Sequence, residues 1–132
     1  MKDSLGDIDQ LSRFRACAAE DFNVMVGAAS VWCPALALGI EAGILALANV
    51  APQECAEVQR LYRAGCRAEA EALHVRLLPV NAAVTATFGV AGLKYAAELR
   101  GYEAGWVRAP LLPLKPEERA RVSAVMKQAG LV

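Results

Sequence analysis

The sequence predicts an α/β protein whose first half alternates strands with helices and whose second half is helical throughout. Three observations support this. Short apolar runs bounded by glycine or proline alternate with helix-period segments as far as Gly65, and beyond it only the helical period recurs. Apolar residues make up 56% of the 132, which is ample for a core and excludes disorder as the main state. The length suits one domain. The change of pattern divides it into residues 1–65, consecutive strand–helix units of a parallel sheet, and residues 66–132, a helical extension.

KDS at the start is a strand stub. Asp7, with Gln10 three positions on, caps a helix over IDQLSRFRACAAE. FNVMVG is a short buried strand, SVWCPALALG a helix, and AGILALANV a further buried strand. Pro52 suits the first turn of the next helix, PQECAEVQRLYRAG. In the second half CRAEAEALHVRLLPVNAAVTATF has a helical period with Pro79 expected to bend it. GLKYAAELRG is a shorter helix, and PEERARVSAVMKQAG closes the chain with proline early and glycine last.

Between Val24 and Pro52 only Glu41 is charged, and hydropathy there invites a membrane reading. A spanning helix needs ~20 uninterrupted apolar residues. Gly27, Pro34, Gly39, Glu41 and Gly43 break this run into short buried elements, so no membrane association is expected. Lys2, Asp3 and Asp7 stand where a leader would turn apolar, so no signal peptide is expected. Lysine plus arginine (14) balance aspartate plus glutamate (14), which removes any global field for nucleic acid. Cys17, Cys33, Cys55 and Cys66 are irregularly spaced, with no C-x-x-C and no clustered histidine, so they do not predict a metal site. They read as buried free thiols in a reducing cytoplasm.

Lys2 and Ser4 point to one face of the first strand and Asp3 to the other. A lysine at the inner end of a parallel strand can be desolvated, which lowers its pKa from about 10.4. An amine so shifted attacks a ketone to form a Schiff base. The other conspicuous residues read as structural: His74, Trp32 and Trp106 as packing groups, Lys94 as a helix-borne structural or interfacial lysine, and EERAR as a solvated face of pairing charges.

KDSLGD, FNVMVG, LGIEAGILALANV, FGVAGLKYAAELRGY and RAPLLPL, in this order and at these distances, resemble the C-terminal part of the dihydrodipicolinate synthase / N-acetylneuraminate lyase family. KDSxGD with GLK and RAPL most resembles its 4-hydroxy-2-oxoglutarate aldolase-like branch. The resemblance implies a class I aldolase fold: the last three strands of a (β/α)₈ barrel, numbered six to eight, over 1–65, then a C-terminal helical extension over 66–132. It implies that Lys2 forms the imine with pyruvate or a related 2-oxo acid, with no metal or organic cofactor. Ser4 then contacts substrate, Gly27 lets the backbone approach it, and the Ile44 carbonyl lies near the imine. Leu5, Ala91 and Glu103–Ala104 depart from the family pattern, and Leu5 is placed to perturb the loop above the lysine.

The family's proton-shuttling tyrosine, paired hydroxyl residues and carboxylate-binding loop belong to its first five strands, outside these 132 residues. Three strands cannot close a barrel. The expectation is therefore a truncated lyase, inactive by itself, that forms homo-oligomers or is complemented by an N-terminal barrel half. The alternative is a non-catalytic α/β remnant that oligomerises through its open strand edges or terminal helices.

Overall fold

The structure, a computed structural model, describes residues 1–132. Strands β1 (Lys2–Asp3) and β2 (Met25–Val26) run parallel in the register Lys2↔Met25, Asp3↔Val26. Helix α1 (Ile8–Cys17) lies in the crossover that a parallel pair requires. Asp7 caps it as predicted, its Oδ1 accepting the N–H groups of Asp9 at 2.9 Å and Gln10 at 3.1 Å. Such a cap contributes about 0.5–2 kcal/mol. The Gln10 side chain does not reach back to the cap. It donates instead to Asp3 Oδ1 at 2.8 Å and ties the helix to the strand.

The structure corrects the third strand. Of AGILALANV only Gly43 bridges to Val26, and Ala46–Asn49 forms a 3₁₀ turn. The segment finds a ladder partner on one side only, through Val26 N–H to Ala42 O and Ile44 N–H to Val26 O. Local bonds such as Ala48 N–H to Leu45 O (3.1 Å) then take over, in residues such as alanine and asparagine with little preference for a pleated strand. The helix expected over 30–39 is also shorter. A 3₁₀ turn at Ala29–Val31 leads into α2 (Trp32–Ala37), with Pro34 in its first turn.

Helix α3 (Pro52–Arg63) starts on Pro52 as predicted. Helix α4 (Arg67–Ala82) runs through Pro79, and a π-helical turn follows at Ala83–Thr87, within one turn of the donor that proline removes. Helices α5 (Gly89–Leu99) and α6 (Pro116–Gln128) flank the irregular segment 102–115. No helix is long and apolar enough to cross a membrane. One continuous buried cluster joins Val26, Ile40 and Val58 of the first half to Leu77, Val122 and Met126 of the second.

His74, the one buried polar residue, meets the Ala29 carbonyl through Nε2 at 2.9 Å and pins α4 to the turn after β2. Buried Trp32 donates from Nε1 to Cys55 O at 3.0 Å. Trp106 is not a packing residue: it is 86% exposed, in a segment with no regular structure to cover it. The EERAR charges do not pair with one another. The Arg119 and Arg121 guanidinium groups lie over the rings of Tyr95 (5.1 Å) and Phe88 (5.0 Å), and Glu118 accepts the Lys115 N–H at 2.7 Å. Of the four free thiols only Cys33 and Cys55 are buried; Cys17 is exposed because α1 buries little beyond Leu11, and Cys66 is half-buried.

Candidate active site

The strand register sorts side chains onto two faces. Asp3, Val26 and Gly43 share one, and Val26 on it is fully buried in the core. Successive strand residues alternate, so Lys2, Ser4, Gly27 and Ile44 share the opposite face. That face carries no helix. Lys2 and Ser4 are exposed, and Ile44 is 54% exposed.

Three of the four expected site residues come together here. A β-carbon built on Gly27 would stand 2.5 Å from Lys2 Cε, against Ser4 Oγ, and 3.0 Å from the Asp3 carbonyl. Gly27 N–H donates to that carbonyl at 2.6 Å. Backbone pairing thus brings the end of β2 close to the lysine, and only the missing side chain leaves room for Lys2 and Ser4 over it. Ile44 lies level with Gly27 on the far side of β2, two strand spacings or roughly 9–10 Å from β1. The expected desolvation of Lys2 is not found in this chain. Its side chain lies on the uncovered face, because the strands that would enclose it are not among these residues.

The opposite face holds a feature that sequence reading missed. Asp3 Oδ1 accepts from Gln10, but Asp3 Oδ2 is buried without a hydrogen-bond partner. Strand alternation placed Asp3 away from Lys2; the spacing of Gln10 pointed only to a helix cap. Lys94, expected as a helix-borne structural or interfacial lysine, is on α5 and donates to the Ala104 carbonyl. The buried cysteines are poor nucleophiles. Burial first, then the Glu54 carboxylate, push the Cys55 thiol up to about 11. Burial and Glu71 raise Cys33 as well.

The chain is 37% identical to the 4-hydroxy-tetrahydrodipicolinate synthase of Ruegeria pomeroyi over 137 residues, covering all of this chain and 46% of that protein. It is 33% identical to the Moorella thermoacetica protein of the same name, again over its full length and 45% of the relative. Its fold matches solved dihydrodipicolinate synthases from Bacillus anthracis (31% identity, TM-score 0.90, 96% of this chain and 43% of that one) and Thermotoga maritima (27%, 0.88, 99% and 45%). The two strands and their helices therefore match part of an α/β barrel, and the chain spans about half the length of the curated relatives it matches. With the family model for dihydrodipicolinate synthetases matching residues 1–129, the chain belongs to the dihydrodipicolinate synthetase family.

Proposed function

We propose that this chain carries the imine-forming part of a class I carbon–carbon lyase acting on pyruvate or a related 2-oxo acid. The observation that carries this is the convergence of Lys2 and Ser4 on the space that a β-carbon on Gly27 would occupy, at the ends of two adjacent parallel strands. Strand ends of this kind are where barrel enzymes keep their chemistry.

In the proposed reaction the uncharged Lys2 amine adds to the keto carbon, and loss of water leaves a protonated imine. The imine withdraws electrons from the neighbouring carbon. A proton there can leave in condensation, or a carbon–carbon bond can break in cleavage, and the electron pair is held as an enamine. After a new bond or proton is delivered to that carbon, water adds to the imine and returns the free amine. Ser4 supplies a hydroxyl for the carboxylate of the 2-oxo acid, Gly27 the space for it, and the Ile44 carbonyl borders the imine. The chemistry needs no metal or organic cofactor. The relatives are named as synthases, which favours condensation over the 4-hydroxy-2-oxoglutarate aldolase-like cleavage.

The uncovered face supports a further part of the reading. Lys2 lies on a face that no strand of this chain covers, and residues 1–65 offer two open strand edges beside it. An N-terminal barrel half, or other copies of the chain, would supply that cover, while residues 66–132 serve as a helical extension on the outside. Free thiols throughout favour the cytoplasm. The same exposure of Lys2 favours a second reading, a non-catalytic remnant that oligomerises through those edges.

The test is to treat the chain with pyruvate and borohydride and to map the adduct by mass spectrometry. An adduct on Lys2 that disappears in Lys2→Met supports the enzyme reading. Absence of an adduct with the chain folded leaves the remnant.

A further inference from the structure

A cleft of about 350 Å³ lies between α5, the irregular segment 102–115 and α6. Lys94, Glu98 and Arg119 line it, and none of them is in a salt bridge: the ion pairs of the chain are Arg60–Glu57 and Arg63–Glu41. Neither cation owes its position to an opposite charge. Lys94 donates one hydrogen bond to the Ala104 carbonyl, which leaves two of its three donors unused. The Arg119 guanidinium lies 5.1 Å over the Tyr95 ring, whose hydroxyl is 3.1 Å from Ser123 Oγ. That guanidinium makes no hydrogen bond within the chain, so its N–H donors are free.

Glu98 follows Lys94 by one helical turn, a spacing at which the two residue types commonly pair. Here they do not, because Lys94 is drawn to Ala104 while Glu98 remains without a hydrogen-bond partner at the edge of the cleft. The walls between the charges are apolar, including Leu114, and Trp106 at 86% exposure also lines the cleft. Gly105, at φ +66°, provides the left-handed turn that sets the indole there.

Two free cations and one free carboxylate around an apolar cleft select for a ligand of matching charge. A simple carboxylate would meet Glu98 with like charge, and a simple amine would meet Lys94 and Arg119. We infer that this cleft binds a small zwitterion, with its carboxylate on Lys94 and Arg119, its ammonium on Glu98, and an aliphatic body against Leu114 and Trp106. That is the chemistry of an apolar α-amino acid. The volume stands at the small end of ligand pockets, roughly 300–1,000 Å³, which suits such a molecule and excludes a dinucleotide. The inference is independent of Lys2 and stands whether or not an imine forms there.

The full chain, labelled with ¹⁵N, allows a direct test, because its two indole N–H signals separate Trp106 from buried Trp32. L-leucine is the probe, with 4-methylpentanoate lacking the ammonium and 3-methylbutylamine lacking the carboxylate. The expected result is a saturable shift of the Trp106 signal with leucine and binding at least about tenfold weaker with either analogue. Glu98→Gln should weaken leucine about tenfold while leaving 4-methylpentanoate equal or tighter, and Arg119→Gln should weaken both carboxylates. Circular dichroism checks that these surface variants stay folded. No saturable shift at millimolar leucine, or equal binding of all three probes, overturns the inference.

Discussion

Lys2 Cε lies 2.5 Å from the point at which a β-carbon on Gly27 would stand. The lysine therefore owes its position to an absent side chain. Gly27→Ala should push Lys2 and Ser4 away from the end of β2 and cut the yield of the pyruvate–borohydride adduct at least about tenfold, with little change in stability because both displaced side chains are exposed and free to move. Mass spectrometry reads the first effect and urea unfolding the second. An unchanged adduct yield in a folded Gly27→Ala variant would show that the close approach has no part in the chemistry.

Gln10 and Asp3 make a second testable link. The Gln10 amide satisfies one oxygen of a carboxyl group whose other oxygen is buried without a partner. Gln10→Leu removes that donor and leaves Asp3 with neither oxygen satisfied by protein. A loss of about 1–3 kcal/mol is expected, the usual cost of stranding a buried acceptor. Asp3→Asn in the same background should recover part of it, since an amide costs less to bury than a charge. Urea midpoints for the two variants give the comparison.

These residues also show how far the sequence could be read. The Asp7 cap, the Pro52 helix start and the parallel strands in KDS and FNVMVG are legible because each depends on neighbours within a few residues or on a strong pattern. The fate of AGILALANV is not. Its apolar run has the composition of a buried strand, but a strand exists only where its neighbours supply a ladder, and here it finds one neighbour. Gln10 misled for a related reason: three residues beyond a cap it looks local, whereas its bond runs to a different element. Family motifs single out Lys2, Ser4 and Gly27, yet the exposure of Lys2 depends on what lies around the sheet. By residue type Trp106 is a packing group, and type says nothing of whether a wall is present.

His74 links the two halves of the chain and its contribution can be bounded. A carbonyl only accepts, so Nε2 must carry the proton that meets Ala29 O. Ala29 O also accepts the Trp32 N–H, so it is not stranded when the histidine is lost. His74→Leu should therefore cost only about 0.5–1.5 kcal/mol, the net value of one ordinary hydrogen bond. His74→Ala should cost more, because it also opens space in the core. Chemical denaturation of both variants tests the ranking. A larger loss for His74→Leu would mean that the imidazole does more than join α4 to the turn after β2.

The buried thiols predict a stability loss on the alkaline side. Cys55 is held protonated in the folded chain up to about pH 11, through burial and the nearby Glu54 carboxylate, against an ordinary value near 9. A raised folded pKa means that the unfolded chain releases its proton first. The stabilisation is therefore complete below about pH 9 and disappears as the pH rises through 11. Cys33 is raised in the same direction, by burial and Glu71. Urea unfolding should show the wild type weakening between about pH 9 and 11, with a smaller decline in Cys55→Val, which has no thiol to ionise. Iodoacetamide at neutral pH gives the complementary measurement: exposed Cys17 should alkylate first, and Cys55 only after unfolding. Equal alkaline declines in wild type and Cys55→Val would move the cause from this thiol to the other groups that titrate in the same range.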